Sequence, residues 1–478
     1  MTQKSETSST ANAGGVDPEV QPLVNLLTRQ RWFGGKARTI ASASVRATIP
    51  IDGKFTIALL SVTYTDDGEE TYFMPVVDTP VGLSDALADT NFARQLYSLI
   101  ECAETIASPQ GVIGGERSAL FESFGGRPDE LEPIRAAAHD QSNSAVAFGE
   151  RLFLKIFRKV EPGLNPDYEL AKYLTEQTTF RRLPRIAGAI QFKPKVGPTM
   201  TLATLQELIR NEGSAWGAML RNVAASLELA SVQPAAGAEL LGQRTAELHR
   251  ALASATQDPA LTPEPLTIDD CEALAARLRR TATSVFEMLR QASATLEATT
   301  ATQTKDLLER GPALVDKFHT LLADDPCCVK TRIHGDYHLG QVLCQNGDFI
   351  ILDFEGEPAR SLAERRAKDS PLRDVAGMLR SFSYVAYAGL FEFTAQNPGE
   401  FSRLEPVANA WVRETSETYL RGYLTTARGA DFLPAKEQHL ATLLDFFLVE
   451  KALYEVLYEL NNRPAWLRIP LAGILAIA

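Results

Sequence analysis

The chain has 478 residues, enough for two or three hydrophobic cores, and its 45% hydrophobic and 23% charged residues are ordinary for a soluble globular protein. Its 48 Lys plus Arg stand against 60 Asp plus Glu, a net charge of −12, which argues against a nucleic-acid or anionic-membrane partner, since either needs a basic face. The 5 cysteines, with no Cys-x-x-Cys pair, argue against a disulfide framework or thiolate zinc site and for a reducing cytoplasm.

The first residues are rich in Ser, Thr, Ala and Gly and lack the apolar core of a signal peptide, so 1–17 reads as a disordered tail. Val20, Leu23, Leu26 and Leu27 recur at helical spacing and predict a helix over 18–29, followed by Arg31-Trp32-Phe33-Gly34-Gly35-Lys36. Strands are predicted over 44–51, 56–64 and 72–77, with Asp52-Gly53 and Asp66-Asp67-Gly68 as turns, and a helix over 83–107. Residues 18–107 thus form a small α+β subdomain. A second β-rich stretch starts near 119; within it 144–148 and 151–157 read as strands joined at Gly149-Glu150. A helix over 165–177 and a strand over 199–205 complete an intermediate part, 108–209. From 210 to 478 helices dominate, at 215–229, 236–255, 268–297, 303–322, 371–389, 405–427 and 436–462. One β-like insert, 329–357, interrupts them. The apolar close, 469–478, is too short to span a bilayer and is expected to pack on the body.

The insert contains His334-Gly335-Asp336-Tyr337-His338-Leu339-Gly340-Gln341, then the apolar run Phe349–Leu352 and Asp353-Phe354-Glu355. An Asp followed five residues later by an amide, and then a second Asp at the end of an apolar strand, is the arrangement phosphoryl transfer needs. Asp336 is the expected catalytic base, orienting an attacking hydroxyl and accepting its proton. Gln341 and Asp353 offer hard oxygens that suit Mg2+. The spacing is that of the protein-kinase catalytic loop and its Asp-Phe-Gly element, with Gly335 and Gln341 where Arg and Asn are usual. His334 and His338 lack the Glu of a zinc helix and are expected to orient the loop, with His334 also counted among the substrate-binding residues.

Further candidates lie outside the insert. Lys155, inside the apolar run Leu-Phe-Leu-Lys-Ile-Phe, needs a partner for its ammonium; the nucleotide phosphates and Glu169 would supply one, whereas the bland alternative is an edge lysine facing water. No glycine-rich loop precedes it. Asp140-Gln141-Ser142-Asn143-Ser144 stands there instead, with Ser142 and Ser144 as phosphate contacts or simply as a polar turn. Gln206-Glu207-Leu208 ends a strand where a hinge would meet adenine, so Glu207 is included at the nucleotide. Lys451, Tyr454, Glu455, Tyr458, Glu459 and Asn462 share a helix face that precedes Trp466. That face is either a packing surface or a sugar platform.

These segments, with Ile351–Pro358, Arg360–Met378, Lys451–Glu459, Arg31–Lys36 and Gln141–Ser144, resemble bacterial maltokinases over nearly the whole chain. Tyr337 replaces the expected Leu, and 108–140 departs from the family pattern. The resemblance implies an α+β, two-lobed, protein-kinase-like (aminoglycoside-phosphotransferase-like) fold: a β-rich N-terminal lobe with an N-terminal cap, and a mainly helical C-terminal lobe. It implies phosphorylation of the anomeric hydroxyl of maltose by ATP and Mg2+, giving maltose 1-phosphate for α-glucan synthesis. It assigns Asp336 as base, Gln341 and Asp353 to magnesium, Lys155 and Glu169 to the phosphates, and Tyr454, Tyr458 and Trp466 to the sugar. Association with a trehalose-processing enzyme stays open. Two rivals also stand: a glucosamine or aminoglycoside kinase of the same fold, for which Glu355 and Glu357 would supply carboxylates, and a catalytically dead kinase-like binding protein.

Overall fold

The structure is a computed structural model and describes residues 16–66, 68–124, 128–137, 142–321 and 328–478. The tail expected over 1–17 lies, for residues 1–15, outside the described residues. The chain folds into two compact units, one of residues up to Glu176 with Pro184–Ile209, the other of Gln177–Leu183 with Arg210–Ala478.

The first unit begins with helix α1 (Gln21–Arg29) and a meander of β1 (Ile40–Ile51), β2 (Phe55–Tyr64) and β3 (Glu69–Thr79). The sequence of β2 is nearly all apolar because both its faces are covered. Alternation along the strand divides the work. Ile57 and Leu59 join a core with Phe92, Leu96 and Ile100 of helix α2, while Ala58, Leu60 and Val62 meet Leu23, Val24 and Leu27 of α1.

The helix expected over 83–107 is shorter. β4 (Gly82–Asp85) pairs back on β3, α2 covers only Thr90–Glu101, and β5 (Thr105–Ser108) follows. The Asp89 carboxylate accepts from the Asn91 amide and sets the helix start, a cap that separates it from the preceding edge strand. The second sheet likewise starts earlier than expected, with β5 and β6 (Gly111–Arg117). After the short helix α3 (Phe121–Phe124) come β7 (Ile134–Ala137), β8 (Ser144–Phe148), β9 (Leu152–Ile156) and β10 (Lys159–Val160). Helix α4 (Pro166–Gln177), β11 (Ile186–Pro194) and β12 (Met200–Glu207) complete the unit. The sheet order is β5-β6-β11-β12-β9-β8-β7, while β10 adds to β3. The sequence did not flag β11, whose Ala-Gly-Ala has little strand propensity. Packing explains the small residues: a Cβ at Gly188 would lie 2.4 Å from the Glu116 carbonyl oxygen.

The second unit follows the predicted helices closely. They are α5 (Ala215–Glu228), α6 (Ala238–Leu252), α7 (Ile268–Ala292) and α8 (Ala298–Leu321), with β13 (Glu264–Pro265) between α6 and α7. The insert holds β14 (Val329–Lys330) and the hairpin of β15 (Val342–Gln345) and β16 (Asp348–Ile351). Next come α9 (Leu362–Arg366), α10 (Leu372–Thr394), α11 (Phe401–Thr426), α12 (Glu437–Asn462) and α13 (Arg468–Leu475). As expected, the apolar close packs down, burying Ile469, Leu471 and Ile474. Among the described residues no helix is long and apolar enough to cross a membrane.

Helices α6 and α11 touch backbone to backbone. A Cβ at Gly242 would sit 2.1 Å from the Tyr419 carbonyl oxygen, and one at Gly422 the same distance from that of Glu239. Gly422→Ala is therefore expected to force the helices apart and destabilise the chain by about 1–3 kcal/mol, despite alanine's better helix propensity. Thermal denaturation checks this; a raised melting temperature contradicts the close approach.

Candidate active site

In the first unit Lys155 is 2% exposed, and its ammonium donates to Asp167 Oδ2 at 2.8 Å. The solvent-facing alternative is excluded. Asp167 was not singled out in the sequence; it opens α4, on the same buried stretch as the expected Glu169, where the helix N-terminus also favours negative charge. Ser144 opens β8 and its hydroxyl accepts from Arg158 Nε at 2.8 Å, while Ser142 lies exposed in the preceding turn. Asp140 and Gln141 of the expected phosphate-binding segment lie outside the described residues. Glu207, at the end of β12, is paired with Arg185 at 3.0 Å.

In the second unit the segment around Asp336 hangs from one carboxylate. Asp374 on α10, 1% exposed, accepts from the amides of His334 at 2.8 Å and Gly335 at 2.9 Å, and from His249 Nε2 of α6 at 3.2 Å. His249 is fully buried and its Nδ1 meets the Tyr423 hydroxyl at 2.9 Å. Burial pushes the Asp374 carboxyl up, but the bond and charge of His249, with His334 and the Gly335 amide, outweigh it and hold it below 3.8. The sequence analysis missed this anchor; its only trace was an acidic residue near the start of an otherwise apolar helix.

Gly335 has φ +83, and a Cβ there would stand 3.2 Å from the Cα of Gly356, itself at φ +74, which explains glycine where protein kinases carry Arg. His334, counted among the substrate-binding residues from the sequence, is 1% exposed and its contacts are with the loop itself. Its Nε2–H donates to the Leu352 carbonyl at 2.7 Å, tying the catalytic segment to the strand end that leads into Asp353. The ring packs on Tyr337 and Phe354.

Gln341 and Asp353, expected at magnesium, are brought together: Gln341 Nε2 donates to Asp353 Oδ2 at 2.9 Å, and the Leu352 amide bonds the Gln341 carbonyl at 2.9 Å. Asp353 has φ 64, a left-handed conformation that costs a non-glycine residue about 1 kcal/mol or more and is held here to aim its carboxylate. A Glu355 carboxylate oxygen lies within 4.8 Å of one from Asp353. These side-by-side oxygen donors fit a hard divalent cation.

Asp336 faces a cavity of about 230 Å³ lined by His338, Glu357, Phe447, Lys451 and Tyr454 among others. Lys451 Nζ stands 3.6 Å from Asp336 and 3.2 Å from Glu357. Burial alone would lower the Lys451 pKa, but Asp336 and Glu357 raise it. Glu357 also meets Arg360 at 2.9 Å, and Glu450 bridges Arg277 and Arg373, each at 2.6 Å. A second cavity of about 330 Å³ adjoins the first, sharing Arg277, Gly335, Glu357, Arg360 and Arg373.

The expected sugar face of α12 divides. Lys451 and Tyr454 line the cavity, whereas Glu455 pairs inward with Arg380 at 2.6 Å and Glu459 with Arg463 at 2.7 Å. Tyr458 is half exposed outside the lining, under Arg463. Trp466 is also outside it, stacked on Tyr384 with centroids 6.1 Å apart. For these two the packing alternative describes the contacts.

Asp374→Asn leaves one acceptor oxygen where the carboxylate offers two, and turns an amide donor toward N–H groups. It is expected to cost about 3–5 kcal/mol in urea denaturation, as for a broken buried pair. In the parent chain the stability from Asp374 is full above 3.8 and is lost as pH falls below it, because its folded-state pKa is the depressed one. If the variant loses acid sensitivity but no stability, Asp374 is not the anchor.

The maltokinase N-terminal cap domain matches residues 26–90. Over 337 residues the chain is 26% identical to a glucosamine kinase of Streptacidiphilus jiangxiensis, covering 69% of this chain and 70% of that one. Over 341 residues it is 26% identical to a glucosamine kinase of Mycolicibacterium smegmatis, covering 71% and 78%. Among solved structures it is similar to glucosamine kinase in complex with glucosamine, ADP and inorganic phosphate, with TM-score 0.67 and 20% identity over 95% of this chain and 98% of that one. A further crystal form of glucosamine kinase gives TM-score 0.69 at 19% identity over the same shares, 95% and 98%. The fold is thus the expected α+β, two-lobed kinase-like one, and residues 26–90 match the maltokinase N-terminal cap domain.

Proposed function

We propose that the chain is an ATP-dependent sugar kinase and that its acceptor is maltose, phosphorylated on the anomeric hydroxyl to maltose 1-phosphate for α-glucan synthesis. The observation that carries the choice of acceptor is the pairing of charges around Asp336. Glu357 faces Arg360 and Lys451, Glu450 faces Arg277 and Arg373, and Asp374 is taken by His249 and two amides. An ammonium group entering this cavity would meet Lys451 and three arginines, and among the described residues Glu357 and Glu450 are already paired with them, whereas a neutral polyol can exchange hydrogen bonds with both signs. The two adjoining cavities further suit an acceptor longer than one ring.

In this reading Asp336 accepts the proton of the attacking hydroxyl, Lys451 fixes the carboxylate, and Tyr454 offers a ring to a sugar face. Lys155, with Asp167 and Glu169 behind it, faces the nucleotide phosphates, as do Ser142 and Ser144, and Glu207 marks the adenine hinge. Gln341 and Asp353 would hold Mg2+, which draws charge from the transferring phosphoryl group. Residues 18–107 are the cap, 108–209 the nucleotide-binding part, and 210–478 the helical part with the acceptor site. Association with a trehalose-processing enzyme, which would supply maltose, belongs to the same reading. A glucosamine acceptor is the second reading, favoured by the names of the relatives at 26% identity.

Two measurements test this. ADP release across maltose, glucose, glucosamine, trehalose and kanamycin is expected to be greatest with maltose; turnover of glucosamine alone sinks the maltose reading and leaves the kinase. Asp336→Asn is expected to lower turnover by roughly 10²–10⁴ while Mg-ATP still binds by calorimetry, and Asp353→Asn to weaken that binding instead. The reverse pattern would exchange the two assignments.

A further inference from the structure

His338 is left without a task once His334 is seen to anchor the loop. It follows Asp336 by two residues and lines the same cavity, with its side chain 41% exposed. Its Nδ1 accepts the Gly340 backbone N–H at 3.0 Å. A nitrogen that accepts carries no proton, so the neutral ring must keep its proton on Nε2. Burial, the largest influence on this ring, lowers its pKa and favours the neutral form, against the pull of Asp336. Glycine at 340 leaves room for the ring: a Cβ there would lie 2.8 Å from His338 Cε1 and 2.9 Å from Nδ1.

The locked proton is on the nitrogen beside Asp336. His338 Nε2 is 3.9 Å from Asp336 Oδ2, too far for a hydrogen bond between them. One oxygen placed about 2.8 Å from each fits between two such atoms. We propose that His338 is a second catalytic residue, a tautomer-locked donor whose Nε2–H binds the attacking hydroxyl oxygen of the acceptor. This rests on the kinase reading above.

The two contacts leave that oxygen one direction to react. Its proton goes to Asp336, one lone pair is held by His338, and the remaining lone pair forms the bond to the γ-phosphorus. The bond from that phosphorus to the β,γ-bridging oxygen breaks, and its electron pair leaves with ADP. His338 transfers no proton; as a donor only, it cannot compete with Asp336 as base. Its contribution is orientation, which acts on kcat.

His338→Leu is expected to lower kcat with maltose by about 10- to 100-fold with KM for ATP unchanged, the size of one hydrogen bond to a reacting oxygen. His338→Gln, whose amide nitrogen reaches the Nε2 position, is expected to recover most of that loss, which a merely structural role would not allow. Gly340→Ala, which displaces the ring without removing it, is expected to resemble His338→Leu. Nitrogen NMR of histidine-labelled protein, with His338→Gln assigning the resonance, reads the tautomer without any turnover. An Nδ1–H ring, or Leu and Gln variants of equal activity, overturns the proposal. A parent chain that phosphorylates no sugar overturns instead the reading on which it rests, and the NMR result separates the two failures.

Discussion

Asp374 sits on α10 with almost no access to water, and the backbone amides of two loop residues end on its oxygens. A buried carboxylate is tolerable only when nearly every lone pair is used, so this one constrains its surroundings strongly. It fixes the His334–Gly335 peptide, and the side chain of the next residue, Asp336, then projects into the cavity. His249 supplies the third donor from α6, and Tyr423 of α11 holds His249 in turn. Helix α6 and the consecutive pair α10 and α11, more than a hundred residues further on, thereby agree on the place of one carboxylate. The glycine contacts between α6 and α11 serve the same end, since separating those helices would move His249.

The segment proposed to carry the chemistry stood out in the sequence because its signal is local. The spacing from Asp336 to Gln341, and the apolar strand before Asp353, survive any uncertainty about helix ends. The β8–β9 hairpin and the run of C-terminal helices were legible for the same reason, their periodicity being complete within each segment. Asp374 and His249 were not, because their meaning lies in contacts 40 and 125 residues distant in the chain. Strand β11 escaped because its small residues reflect close neighbours rather than intrinsic preference. Trp466, expected at the sugar because it follows a polar-aromatic helix face, packs its ring on Tyr384 and Phe391, contacts that the sequence did not announce.

The cavity shows how an acidic chain can present a balanced site. With a net charge of −12, the protein as a whole attracts cations, but its carboxylates around Asp336 are met one by one by Lys451 and three arginines. Ion pairs of this kind add little to stability once their desolvation is counted. Their effect is on selection, since a charged ligand must displace an existing partner while an uncharged one need not. Lys451 is placed at the centre of this balance, between the catalytic carboxylate and Glu357.

Gly335 bears on control as well as on geometry. In protein kinases an arginine precedes the catalytic Asp, and guanidinium groups there can engage a phosphorylated loop that switches the site on. Here the left-handed backbone and the approach of Gly356 make any side chain at that position strained and crowded. The catalytic segment is instead held by a carboxylate inside the protein, which no modifying enzyme can reach. The placement of Asp336 is therefore set by the packing of the helices themselves, with no side chain at 335 taking part.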